Sequence, residues 1–178
     1  SGTVIVPVAP EIEVVSAGNE ILVSGSSTVN FGTVTQAGIA LTQTFTVRNL
    51  GTASLTLGGV TLPAGFALGT NGLVTTLAPN ASDTFSVVMA STIVGTKSGL
   101  MSIGNNDGDE GPFTVNLTGI VAPKPAPEVT VADFNSANVL DNIALYDLGS
   151  AIQGQVATSY VFTVTNTCLL YTSDAADE

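Results

Sequence analysis

The chain has 178 residues, fourteen of them acidic and three basic, with no His, no Trp and one Cys, for a formal charge of -11. So few cations cannot neutralise a run of phosphates or hold an anionic membrane surface, which excludes nucleic-acid binding and charge-driven membrane attachment. No apolar run is long enough to cross a bilayer, so no membrane insertion is expected. Without His, neither a Ser-His-Asp nor a Cys-His arrangement can be assembled, and the chain is read as no enzyme.

In chain order, residues 4–10 (VIVPVAP) form an extended connector, because its two prolines oppose helix. Residues 11–16 alternate, with Ile12 and Val14 on one face, and read as the first strand. Residues 21–24 can pair at an edge before a loop over 25–30, and Phe31 in FGTV brings an aromatic into the core. The long strand of the domain is 39–49, with Phe45 and Val47 on one face and Thr44, Thr46 and Arg48 on the other. A Gly-containing bend follows, and then 55–57 and 60–62 flank Gly58-Gly59, a pair suited to a tight hairpin or a bulge.

Pro63 to Phe66 is a turn that delivers Phe66 inward, and Pro79 to Ser82 is a turn leading into 83–89, where Phe85, Val87 and Met89 share a face. The last two strands are 95–104 and 112–119, the second with Phe113, Val115 and Leu117 inward. Seven or eight short antiparallel strands with frequent turns make an all-β, immunoglobulin-like sandwich.

The unit at 45–49, FTVRN, returns at 162–166 as FTVTN, an offset of 117 residues from Phe45 to Phe162. The same offset relates Pro10-Glu11 to Pro127-Glu128, Val14 to Val131, Phe31-Gly32 to Leu148-Gly149 and Gln36 to Gln153. A fixed offset kept without a gap is the mark of a tandem repeat. The organisation that follows has five parts. Residues 1–9 end a preceding repeat and its linker, 10–121 form a complete sandwich, 122–127 are a Pro-rich spacer, and 128–167 begin a second, truncated copy. Residues 168–178, CLLYTSDAADE, break the repeat and resemble the translated adaptor of an assembled metagenomic read.

Setting that segment aside leaves eleven acids against three bases, and gives Cys168 no weight in questions of redox, metal or nucleophile. The truncated copy lacks the strands that would cover its long strand, so 128–178 are expected to be poorly packed beside a cooperative 10–120.

The loop between the last two strands carries Asn105, Asp107, Asp109 and Glu110. These are hard oxygen donors of the kind Ca²⁺ prefers, and Gly108 lets the loop curl, so calcium is the one cofactor to consider. No acid closes an EF-hand spacing, and Asn, Asp and Gly are equally what a tight hairpin needs. Acids at such a tip are expected to be well solvated, which removes the burial that acid catalysis requires. Arg48, on the polar face of the long strand, is expected to pair with an acid at the surface.

The order FGTV, TFTVRNLGTASLTLGGV, LAPNASDTFSV and SIGNNDGDEGPFTVNLTG resembles the repeat of bacterial choice-of-anchor D surface proteins and, more distantly, the ASH and Hydin immunoglobulin-like modules. The resemblance covers about 10–119 in full and 127–167 in part. It implies a non-catalytic module of a large exported protein, outside the cell or at its surface, whose partners are neighbouring repeats of the same chain. Two other roles stay open. One is an adhesive module reading a protein or glycan partner, for which an aromatic cluster in the loops would be the sign, and no such cluster is evident. The other is intracellular scaffolding of the ASH and Hydin kind.

Overall fold

In a computed structural model, residues 8–141, 145–156 and 158–167 are described. The expected adaptor segment with Cys168, and all but the last two residues of the expected leading stretch 1–9, lie outside them. The chain divides into two compact units between Lys124 and Pro125. Among the described residues there is no α-helix, and no helix long and apolar enough to cross a membrane.

Among its described residues the first unit holds ten strands: β1 Ile12–Val15, β2 Ile21–Leu22, β3 Thr28–Thr35, β4 Leu41–Asn49, β5 Leu55–Thr61, β6 Phe66–Leu68, β7 Thr76–Leu77, β8 Ser82–Met89, β9 Gly95–Asn105 and β10 Phe113–Ala122. They form two five-stranded sheets, in the orders β2-β1-β4-β8-β6 and β3-β10-β9-β5-β7. Strands β1, β4, β6 and β8 against β5, β9 and β10 reproduce the division of an immunoglobulin sandwich.

The alternation that marks the strands also builds the core. Phe45 and Val47 of β4 and Phe85, Val87 and Met89 of β8 point inward and are buried, as are Met101 and Ile103 of β9 and Phe113, Val115 and Leu117 of β10. Directly opposite each other in the β4–β8 ladder, Phe45 and Phe85 stack with ring centroids 5.3 Å apart. Phe31 and Phe66 meet edge to face at 5.1 Å on the same core.

Three details depart from the expectation, and a fourth decides between the hairpin and the bulge expected at Gly58-Gly59. The strands number ten rather than seven or eight, because the edges β2, β6 and β7 span only two or three residues, too few to show a period. Residues 28–30 belong to β3 rather than to a loop, and β3 runs parallel to β10, Asn116 lying opposite Thr28 and Val121 opposite Val34. A strand's alternation is the same in either direction, so it carries no sign of a parallel partner. Gly58-Gly59 is a bulge inside one strand, with the register shifting between Leu57 and Gly59 and Gly59 at φ 98°. Finally, β10 runs on through Ala122, with Val121 buried, and the spacer starts after it.

Ala37 occupies the left-handed region at φ 60° in the turn after β3, where an L side chain is strained. The position 117 residues later is Gly154, at φ 86°. Ala37→Gly is expected to stabilise the sandwich by about 1 kcal/mol, read as a higher urea midpoint at unchanged slope. A lower midpoint would mean that the turn is held by its contacts rather than strained.

The second unit contains β11 Val129–Ala132 and β12 Thr163–Asn166, a two-stranded antiparallel sheet. Its ladder pairs Val129 with Asn166, Thr130 with Thr165, Val131 with Val164 and Ala132 with Thr163. The β1–β4 ladder pairs Ile12 with Asn49, Glu13 with Arg48, Val14 with Val47 and Val15 with Thr46. Each pair is the other displaced by 117 residues. The turns follow the same displacement: the Asn19 amide donates to the Ser16 carbonyl at 2.9 Å, the Ser136 amide to the Asp133 carbonyl at 2.9 Å, and Asn19 and Ser136 both have positive φ.

Candidate functional site

The loop between β9 and β10 is organised by its own side chains. The Asn105 amide group donates to the carbonyls of Ile103 and Glu110 at 3.2 and 3.0 Å, and its oxygen accepts from the Asp107 amide at 2.8 Å. Asn106 reaches sideways, accepting from the Thr56 amide at 2.7 Å. Asn105 is therefore a brace of the turn, with both ends of its amide committed to backbone.

Asp107 is buried, not solvated as its place on a hairpin tip led us to expect. Its carboxylate accepts from the amide of Ile12 at 2.8 Å, joining the loop to the first residue of β1. That contact also brings in Glu11. The carboxylate oxygens of Glu11, Asp107 and Asp109 lie within 4.8 Å of one another, with Glu11 and Asp109 exposed. Of the three expected carboxylates, then, Asp107 and Asp109 come together with Glu11, which joins from 96 positions away, while Asn105 spends its amide on the backbone of the turn. Nothing local in the sequence marks Glu11 for that role. Its one sign is its place at the start of the first strand, which the fold lays beside the β9–β10 loop.

Like charges this close raise the cost of ionisation. Partial burial, then the carboxylates of Asp107 and Asp109, hold Glu11 above the ordinary 4.5, and partial burial, then Asp107, Glu11 and Asp109, do the same for Glu110. The folded state therefore takes up these protons at higher pH than the unfolded chain does. Their contribution to stability is fully present below 4.5 and is lost as pH rises through the raised values. Stability is thus expected to increase on mild acidification from neutral pH. Glu11→Gln should raise the melting temperature at neutral pH and flatten that increase. A variant that melts lower than the parent at neutral pH would show that the cluster attracts rather than repels.

Chemically, three carboxylate oxygens at this spacing suit a hard cation, although Asp107 already spends one oxygen on the Ile12 amide. The one ion pair among the described residues lies elsewhere, between Arg48 and Glu13 at 3.0 Å, directly across the β1–β4 ladder.

The second unit holds an aromatic group that the sequence reading missed. Phe134 lies 4.7 Å from Tyr160 and 6.3 Å from both Tyr146 and Phe162, and Tyr146 meets Phe162 at 5.3 Å. Spread over 134–162, these residues share no period.

The fold is immunoglobulin-like. No protein-family model matches the sequence, and no curated protein matches it. Solved structures do. A protein of unknown function from Porphyromonas gingivalis W83 is 14% identical over 65% of this chain and 50% of its own, with a TM-score of 0.49. The ASH/PapD-like domain 7 of human CEP192 is 12% identical over 70% of this chain and 94% of its own, also at 0.49. The Vibrio cholerae VesB protease is 22% identical over 53% and 30%, at 0.42. The chain thus spans half of the first protein and less than a third of the protease. Overlap this partial assigns no activity, and the Ig-like fold rests on the strand order of the first unit.

Proposed function

We propose that the chain is a non-catalytic spacer: Ig-like sandwiches in tandem, joined by short Pro-rich connectors, from a large secreted or surface-anchored bacterial protein of the choice-of-anchor D kind. The observation that supports this reading is the coincidence of two ladders, β1–β4 and β11–β12, in the same register 117 residues apart. A module repeated at constant spacing adds length, and length is what a stalk needs. The buried core is apolar, and its polar members, Asn49, Ser91 and Asp107, have hydrogen-bond partners, so the sandwich spends its polar groups on architecture.

Arrays with increasing copies of the 117-residue repeat, measured by small-angle X-ray scattering, test it. The maximum dimension is expected to grow linearly with copy number, and calcium is expected to leave the slope unchanged. A dimension that levels off would mean that the modules collapse on one another, and the spacer reading would fall.

An adhesive module is the second reading, favoured by the Phe134, Tyr146, Tyr160 and Phe162 group. Binding on a glycan array that Tyr160→Ala abolishes would place it ahead of the spacer.

A further inference from the structure

The connection between β6 and β7 is tied down towards both ends. The Gly69 amide donates to the Ser86 carbonyl at 2.8 Å, the Val74 amide donates to the Asp83 carboxylate at 2.8 Å, and Leu73 packs against the core. Between these anchors Thr70, Asn71 and Gly72 are exposed, and among the described residues neither Asn71 nor Gly72 has a hydrogen-bond partner. Asn71-Gly72 is also the one Asn-Gly pair of the sequence.

In such a pair the backbone and the side chain can react with each other. The Gly72 amide nitrogen, having lost its proton to water or hydroxide, attacks Asn71 Cγ. The new N–Cγ bond closes a five-membered succinimide, and the Cγ–Nδ2 bond breaks as ammonia leaves with a proton. Water then adds to one of the two ring carbonyls and opens the ring, to aspartate or, with the main chain rerouted through Cγ, to isoaspartate. Nothing is oxidised or reduced, and water is the sole co-reactant. Two things oppose the attack: a hydrogen bond that commits the amide, and a side chain that crowds it.

Other asparagines of the first unit have both protections. The amides that follow Asn49, Asn80 and Asn105 donate to the carbonyls of Glu11, Ala78 and Thr56 at 2.8, 3.0 and 3.2 Å, and the amide after Asn19 donates to the Ser16 hydroxyl at 3.3 Å. Each of those amides belongs to a residue with a side chain. Asn71 has neither protection.

We propose that Asn71 is a self-modifying site, converting through the Asn71-Gly72 succinimide to aspartate and isoaspartate without an enzyme. Each conversion adds a negative charge to the module, and the isoaspartate product lengthens the main chain of the connection by a methylene. The anchors at Gly69 and Val74 confine that change to the exposed stretch, so the surface ages while the core stays closed. The inference stands on this connection alone and does not depend on the spacer reading.

Incubating the full 178-residue chain in mildly alkaline buffer, with mass spectrometry of its tryptic peptides, tests it. The peptide from Asn49 to Lys97 is expected to gain the mass difference between NH2 and OH at Asn71, ahead of Asn49 and Asn80 in the same peptide, and to become a substrate for protein isoaspartyl methyltransferase. The rate should rise with pH, because the attacking nitrogen must first be deprotonated. Gly72 lies outside the left-handed region and a Cβ there meets nothing within 4 Å, so Gly72→Ala keeps the fold. That variant should convert about tenfold more slowly or less, since its methyl group crowds the attack. A free peptide copying residues 69–74 gives the unhindered rate, and the folded chain should come within about tenfold of it, because an unbonded loop opens at little cost. Three results would overturn the proposal: no gain in the folded chain while the free peptide converts, a first gain at another asparagine, or an unchanged rate in Gly72→Ala.

Discussion

Replacing Asn49 by Ala is expected to cost the sandwich about 3 kcal/mol, because one fully buried side chain serves several otherwise unsatisfied backbone groups. Its nitrogen donates to the carbonyls of Ala53 at 2.8 Å and Leu77 at 3.0 Å, and its oxygen accepts from the Gly51 amide at 3.0 Å. Its backbone adds two more bonds, donating to Ala81 and accepting from Asn80. Asn49 ends β4 where the chain leaves one sheet for the other, so these bonds hold the crossing that Gly51 makes. A Cβ on Gly51 would collide with the backbone of Ala9, Pro10 and Glu11. Asn49→Asp keeps the acceptor and loses both donations, so it should cost nearly as much as Ala. Urea unfolding of the three proteins measures this. A loss below about 1 kcal/mol for Asn49→Ala would mean that water replaces the amide, and that the side chain is not the closure of the bend.

Asn49 also shows where reading the sequence stopped. The alternation of β4, β8 and β10 was legible because each strand has one wet and one dry face, and burial follows that period. Asn49 closes the alternating strand just before a bend, but its carbonyl partners come from 4 and 28 residues away. A polar residue with many long-range partners leaves no period behind. The acidic loop behaved in the same way. Asp107 and Asp109 were visible as neighbours, whereas Glu11 is brought to them by the pairing of an amide with Asp107 across 95 residues. The 117-residue repeat was legible because it is itself a relation between distant residues, written in the sequence as identity. The aromatic group of the second unit was not, because it depends on which residues a partial fold brings together.

Phe85→Ala should be the most damaging single truncation in the core, costing about 3 to 5 kcal/mol, since it removes a large ring and leaves a cavity that a two-layer sandwich cannot close. The ring is 1% exposed and stacks on Phe45, 0% exposed, at 5.3 Å and 17° between planes. For a domain of this size that loss lowers the melting temperature by about 10 °C or more, enough to see in a single calorimetric scan. A double-mutant cycle with Phe45→Ala separates the ring pair from the burial. The coupling is expected at about 0.5 to 1.5 kcal/mol, the range of offset aromatic pairs, with the rest of each loss being cavity and transfer. Zero coupling would mean that the rings merely fill space, and that leucines at both positions would serve as well. The contrast lies 117 residues on: Phe162 is already 39% exposed, so its truncation removes far less buried surface. The same residue type, at the same register of the repeated ladder, is a keystone where β8 covers it and is partly exposed where, among the described residues, no strand but β11 lies beside β12.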